Sequence, residues 1–558
     1  MLMQSILYFV AAFVAFTAVS STPLDDYVWT PDSAYGWVDM GKDFTYKSKI
    51  EGRGFTMYTL NMTSQRWLSD SDFSADSDAK SLWWHYLCII VPDNLQFKNN
   101  ASMWITGGSV TSGPPSPRDE DIVVTAALAV TTGTVTGALF QIPNEHIKFA
   151  SDPIQKSRSE DAIIAFTWAH FLDNPSDPNW LVRFPMVKAS VRAMDAMKEF
   201  MDQRLPELGT SLDYFTIAGA SKRGWTTWLV GAVDPKRVQL IVPIVLDAIN
   251  FVEVMHHQYR SYGGWTYALQ DYVDMNITYR FDDPNMIILQ QYEDPYFYRN
   301  RLTMPKLVVN AVMDEFQQPD DTHYWWNDMP EPKHFLIAPN AEHSLATGIL
   351  EVVPAIGAWA LAHLKNDAVP KFTWTIDKTT GEITATLNEH GIVHEANVWW
   401  AYSCGNNAFD GKMRRDYRVA HLDNPCACGL SAEGYCANLK AFWHKETLQS
   451  TTVNGRRVYK AKLDAPSDGR YVAFMIDIKY INPNAFPIDA VALMKDMTQY
   501  SHEKIGVRIM DKFGFDFGGF PTDFGRFFEF TTEISVFPDT FPYEECSGTA
   551  CGEAPMVQ

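Results

Sequence analysis

Residues 213–233, DYFTIAGASKRGWTTWLVGAV, run from a β-rich apolar stretch through Gly219-Ala220-Ser221-Lys222-Arg223-Gly224 into a helical pattern. A serine becomes a nucleophile when a tight turn between strand and helix projects its hydroxyl and a nearby base takes its proton. Small neighbours let the strand and helix approach, and Gly219 and Gly224 supply that room. The usual spacing is G-x-S-x-G; here Arg223 stands at the second glycine position and Gly224 comes one residue late. A structural serine in a βα turn is the alternative reading.

The partners such a serine needs follow in the order serine, acid, histidine. MPKLVVNAVMDEF reads as a strand ending at Asp314, where a carboxylate can orient an imidazole and stabilise its protonated form. After the strand KHFLIAP, the segment Asn340-Ala341-Glu342-His343-Ser344 puts His343 on a loop beyond the last strand. His256, His257 and His323 lack that strand-end placement, and His334 opens a strand. Asp247, after the strand VQLIVPIVL, is the alternative acid. For the oxyanion, the Lys222 backbone N–H is one candidate donor. The Gly107-Gly108-Ser109 turn after the strand SMWIT offers the other. Lys222 and Arg223 either attract an anionic substrate group or pair with nearby acids; pairing is the expectation. No metal ion or cofactor is expected.

The elements that must position these groups alternate β-rich runs with helical patterns over residues 81–365, the signature of a mostly parallel sheet flanked by helices. Strands are predicted at 83–92, 102–106, 134–142, 213–219, 238–246, 305–312 and 333–338. Helices are predicted over SRSEDAIIAFTWAHFL, with Ser157 as N-cap and Glu160 completing the capping box, over 185–204 and over 345–364. A fourth helix should carry the acidic run Asp119, Glu120 and Asp121 in its first turn. The segment 249–300 is aromatic and irregular and is expected to cap the C-terminal edge of the sheet. Beyond Lys365 the runs KFTWTID, EITATL, ANVWWAYS, RYVAFMIDIKY and FFEFTTEISVF alternate with turns, a β-sandwich pattern. The expected organisation is a signal peptide over 1–21, an α/β-hydrolase-like domain over 22–365 with an N-terminal extension, and a cystine-containing sandwich over 366–558.

The chain of 558 residues has 46% hydrophobic and 20% charged residues, ordinary globular usage that excludes a fibrous or largely disordered protein. Its 67 acidic against 46 basic residues give a net charge of -21, which repels phosphate backbones and argues against nucleic acid as a partner. The apolar stretch ILYFVAAFVAF followed by small residues reads as a secretory signal peptide, with an uncleaved anchor as the alternative. No stable membrane anchor is otherwise expected. Sequons at Asn61, Asn100 and Asn276 agree with export. Cys404, Cys426, Cys428, Cys436, Cys546 and Cys551 fall late in the chain and suggest up to three disulfides, with Cys546 and Cys551 close enough to close a small loop. Zinc at Cys426, Cys428 and Cys436 is the alternative, although the spacing lacks a C-x2-C pair. Cys88, inside YLCIIV, reads as a buried small hydrophobe.

GASKRGWTTWL, together with QIPNE at 141–145, MDEF at 313–316 and PNAEHS at 339–344, resembles the PhoPQ-activated pathogenicity-related protein family. The resemblance runs from TPLDDYV at 22–28 to FTTEISVFP at 530–538. It implies an α/β-hydrolase fold related to serine peptidases and esterases, with Ser221, Asp314 and His343 at the triad positions and a peptide or ester as substrate. It also implies a second role, a secreted signal that restrains proliferation and repels cells through a cell-surface receptor.

Overall fold

The computed structural model describes residues 21–50, 52–345, 348–388, 391–403, 410–418, 442–483 and 527–557, with short strands at 420–421, 430–432 and 435–437. The signal-peptide segment and Cys404, Cys426 and Cys428 lie outside the described residues, as does the side chain of Cys436.

Ten strands form the central sheet. In chain order they are β1 (Gly36–Asp39), β2 (Thr45–Ile50), β3 (Arg53–Arg66), β4 (Leu82–Pro92), β5 (Phe97–Ile105), β6 (Thr134–Leu139), β7 (Tyr214–Ala220), β8 (Val238–Ile244), then β10 (Lys306–Ala311) and β11 (Lys333–Ala338); β9 (Trp265–Thr266) stands apart. Their spatial order is β1-β3-β4-β6-β5-β7-β8-β10-β11, with β2 sharing the edge of β3. The pairs among β6, β5, β7, β8, β10 and β11 are parallel, whereas β4 is antiparallel to both β3 and β6. The inner strands are buried on both faces, as β10 and β11 are at every position, which is why they read as unbroken apolar runs. β3, near the edge, keeps a partial alternation of buried and exposed residues.

The connections carry helices: α1 (Pro23–Trp29), α2 (Glu120–Thr132), α3 (Glu160–Asp173), α4 (Arg183–Arg204), α5 (Lys222–Val233), α6 (Phe251–Tyr262), α7 (Gln270–Asp274), α8 (Pro284–Glu293) and α9 (Ile349–Lys365). This is an α/β-hydrolase-type sheet. Helix α2 begins where the acidic run predicted it, with Asp119 as N-cap accepting from the Asp121 N–H. The start of α3 differs from expectation. Its N-cap is Ser159 rather than Ser157, and the Ser159 side chain makes no capping bond. The Glu160 N–H instead donates to the Glu145 carboxylate at 3.0 Å, so a distant acid supplies the cap.

Segment 249–300 is not irregular: α6, α7 and α8 occupy most of it. Past α9 two sheets of antiparallel strands follow. Phe372–Ile376, Ile383–Leu387, Arg456–Ala461 and Thr451–Val453 form one sheet; His444–Thr447, Val393–Tyr402, Val472–Ile481 and Phe527–Thr531 form another, with Ser535–Phe537 also on Val472–Ile481. Ala385, Tyr459, Phe474 and Ile476 from these sheets share one apolar cluster with Trp359 of α9, so the C-terminal region packs directly on the hydrolase sheet. The Ile337 N–H donates to Thr531 Oγ1 at 3.0 Å across that junction.

The chain then returns to the cap. Met556–Val557 pairs in parallel with β9, and the Trp265 indole N–H donates to the Cys551 carbonyl at 2.7 Å. A disulfide joins Cys546 to Cys551 within this returning strap. His256 lies beside the two sulfurs, but those sulfurs are bonded to each other and offer no thiolate pair to a metal. Cys88 is buried and unpaired, and burial pushes its thiol up to about 12. Among the described residues no helix is long and apolar enough to cross a membrane.

Candidate active site

Three parallel strands deliver three side chains to the C-terminal edge of the sheet, where open α/β sheets place their ligands. Ser221 directly follows β7, Asp314 lies three residues past β10, and His343 lies five past β11. Backbone bonds fix the loops: Ser221 N–H to the Ile244 carbonyl at 2.8 Å, Val312 N–H to Ala338 at 3.3 Å and Met313 N–H to Ala341 at 3.0 Å.

Ser221 sits at φ 56°, ψ -126°, a backbone conformation rare for a side-chain-bearing residue and strained by about 1–3 kcal/mol. The turn is possible because its glycines are glycines. A Cβ on Gly219 would lie 2.8 Å from the Arg223 carbonyl oxygen, and one on Gly224 would lie 2.8 Å from the Ile244 carbonyl oxygen. The displaced glycine thus does the close-packing work against β8, which frees position 223 for a long side chain.

Ser221 Oγ and His343 Nε2 are 2.8 Å apart, and His343 Nδ1 is 2.7 Å from Asp314 Oδ2. A carboxylate only accepts, so Nδ1–H donates to Asp314, which leaves Nε2 of the neutral ring to accept the Ser221 hydroxyl. The other oxygen of Asp314 accepts the Phe316 N–H at 2.7 Å and the Gln317 N–H at 3.2 Å, which locks the carboxylate plane. Burial opposes a charge on His343, but Asp314 and Glu315 outweigh it and raise the imidazole above its ordinary range. Asp247 lies elsewhere: it accepts the Trp325 indole N–H at 2.7 Å, and burial with Asp321 nearby holds its carboxyl well above the usual carboxylate range. Of the two acids, Asp314 is the one bonded to His343.

The family model for the PhoPQ-activated pathogenicity-related protein matches residues 24–418. The chain belongs to that family. It is also 34% identical over 547 residues to autocrine proliferation repressor protein A of Dictyostelium discoideum, across 96% of this chain and 94% of that one. Among solved structures it is similar to acetyl xylan esterase 1 of a Thermoanaerobacterium species at 15% identity, over 57% of this chain and 86% of that one, with a TM-score of 0.38. It is similar too to Est1E of Butyrivibrio proteoclasticus at 12% identity, over 57% and 99%, with a TM-score of 0.31.

In this PhoPQ-related chain the cations beside the serine are paired, as the sequence suggested. Lys222 Nζ is 2.8 Å from Glu160 Oε2 and 2.9 Å from Asp161 Oδ2. Arg223 donates to Glu160 and to the Ile142 carbonyl. Burial, with Glu160 close by, pushes the Glu145 carboxyl up to about 7. The Lys222 backbone opens α5, where the first N–H groups of a helix have no intrahelical acceptor. Gly107 lies against the Arg223 guanidinium, where a Cβ would come within 2.4 Å of Nη2. Ser109 Oγ reaches the Glu145 carbonyl at 3.2 Å, and Gly108 adopts φ 120° between them.

A cleft of about 680 Å³, counting its open mouth, leads to Ser221 and His343. Lys222 lines it; Gly107, Gly108 and Ser109 do not. Its walls are Trp168 of α3, Trp225 of α5, Phe251 and Met255 of α6, Tyr272 of α7, and Phe281, so the PhoPQ-related cap supplies much of the lining. Glu293 and Asp294, also in the cap, are fully buried outside the lining; Asp294 accepts from the N–H groups of Asn250, Phe251 and Tyr296. Sequence reasoning missed Arg183 and Gln317, which line the cleft. Gln317 was within reach of it, being three residues beyond Asp314; nothing local marks Arg183. Asn61 and Asn276 are exposed, and Asn100 is partly covered where β5 pairs with Tyr214.

Proposed function

We propose that the protein is a secreted serine hydrolase acting on a peptide or ester. The hydrogen-bonded chain from Ser221 through His343 to Asp314 carries this reading. Ser221 Oγ attacks the substrate carbonyl carbon while His343 Nε2 takes the hydroxyl proton. The imidazolium, held by Asp314, then gives that proton to the leaving amine or alcohol as the scissile bond breaks. Water attacks the acyl-serine, His343 takes its proton, and the acid departs as the proton returns to Ser221. The Lys222 N–H, with a second donor from the Gly107–Ser109 loop, is proposed to hold the oxyanion. Secretion and N-glycosylation at Asn61, Asn100 and Asn276 belong to the same reading. They rest on the apolar leader, the exposure of Asn61 and Asn276, and the cystine.

A second reading is favoured by one observation, the 34% identical relative named an autocrine proliferation repressor. In that reading the protein is an extracellular signal acting through a receptor, on the same scaffold. Labelling of the purified protein with a fluorophosphonate probe separates the two. Labelling in wild type that is lost in both Ser221→Ala and His343→Ala supports the hydrolase. A folded wild type that takes no label shifts the assignment to the signal, to be followed by cell growth and migration assays.

A further inference from the structure

Two cationic side chains that the triad does not use line the cleft: Lys222, paired with Glu160 and Asp161, and Arg183. Arg183, the first residue of α4, is 1% exposed and forms part of the cleft wall. Its guanidinium carbon sits over the Trp225 indole, 3.7 Å from the ring centroid, and its Nε is 3.4 Å from Glu293 Oε1. Nη1 has no hydrogen-bond partner among the described residues. Leaving a buried guanidinium N–H unpaired is costly, and Arg presents its donors as a rigid fork suited to a carboxylate. Glu293 compensates the charge only in part, since it also accepts the Trp168 indole N–H and burial pushes its carboxyl up to about 7. Thr278, on the cap side of the cleft, likewise has a buried hydroxyl with no partner among the described residues.

The subsite and the nucleophile meet on one helical turn. Trp225 is four residues past Ser221, and its N–H donates to the Ser221 carbonyl at 3.0 Å, so their backbones stand one turn apart. Arg183 rests on that indole, and Arg183, Trp225 and Ser221 all line the same cleft.

Resting on the serine-hydrolase reading, we infer that Arg183 forms an anion subsite that selects acyl groups carrying a terminal carboxylate a few carbons from the scissile carbonyl. Trp168, Trp225, Phe251 and Met255 suit the intervening methylenes, and the carboxylate of Asp161, which also lines the cleft, is paired with Lys222 at 2.9 Å.

Two measurements test this, one of them independent of catalysis. Calorimetric binding of monomethyl glutarate and methyl valerate to the Ser221→Ala protein should show the glutarate ester bound at least about tenfold more tightly. That margin should vanish when Arg183→Gln is added and survive in part with Arg183→Lys. In the catalytic assay, mono(4-nitrophenyl) glutarate should exceed 4-nitrophenyl valerate in kcat/KM by about tenfold or more, and the ratio should collapse in Arg183→Gln. Removing Arg183 leaves Glu293 buried beside it, so the double variant Arg183→Met, Glu293→Gln serves where the single one does not fold. Equal binding of the two esters, or a preference that persists without Arg183, overturns the subsite. Selective binding of the glutarate ester with no fluorophosphonate labelling of wild type would instead overturn the hydrolase reading and leave the anion site standing.

Discussion

At the scale of single residues, His343 is held between the Ser221 hydroxyl and the Asp314 carboxylate, which stabilises the protonated ring without taking the proton itself. Its raised pKa carries a directional consequence. Probe labelling needs the neutral imidazole, so the labelling rate should rise with pH through a midpoint above the ordinary histidine value of 6.5. Glu315, whose carboxylate accepts the His343 backbone N–H at 3.2 Å, contributes to that elevation, so Glu315→Gln should move the midpoint down. A pH–rate profile of inactivation checks both, and an unchanged midpoint would remove Glu315 from the account. Asp314→Asn should lower turnover by roughly 10³–10⁴-fold, because the amide can no longer hold the tautomer that leaves Nε2 free to accept. Steady-state hydrolysis of an activated ester measures it.

Among the elements, the strand–serine–helix junction has least slack. Gly224→Ala would set a methyl 2.8 Å from the backbone oxygen of Ile244, which neither strand nor helix can yield cheaply. The expected cost is about 1–3 kcal/mol, read as a lowered Tm, with slower labelling as α5 is pushed away from β8. The cap depends on the returning strap, and replacing both Cys546 and Cys551 by serine should cost about 2 kcal/mol locally. Hydrogen exchange at Trp265 and Thr266 should accelerate while exchange in β7 and β8 stays slow. The parallel strands were legible in sequence because burial on both faces writes a continuous apolar run, and strand ends then located Ser221, Asp314 and His343. Helix α6 was not legible, since its buried residues include His256, His257, Gln258 and Ser261 beside Phe251, Val254 and Met255. Phe251, Val254, Met255 and Tyr262 do recur at helical spacing, but the polar residues buried among them read as solvent-facing. The pairing of β9 with Met556–Val557 is two residues long on each side, too short to leave any pattern.

Across the whole molecule, one buried cluster ties three distant stretches of chain. His257 of α6 is 2.6 Å from Asp321 and 3.4 Å from Asp320, and Asp320 in turn pairs with Arg415, whose backbone N–H donates to the Ser261 carbonyl at 3.2 Å. Burial disfavours the imidazolium, but the two aspartates outweigh it and raise the His257 pKa above 6.5. A raised pKa stabilises the fold fully below the unfolded value and loses that contribution as pH rises through the folded one. Thermal unfolding followed from pH 6 to 9 should therefore show Tm falling on the alkaline side, with a flatter slope in His257→Gln. The strap gives the same long-range closure a time axis. Cys551, whose carbonyl receives the Trp265 indole, follows that residue by 286 positions, and at about 5–20 residues per second a ribosome needs roughly 15–60 s to cover them. For that interval a nascent cap exists without the strand partner of β9, so the cap over Ser221 is fastened only after it has elapsed. A chain cut short before the cystine would carry every residue of the site beneath a cap left unfastened.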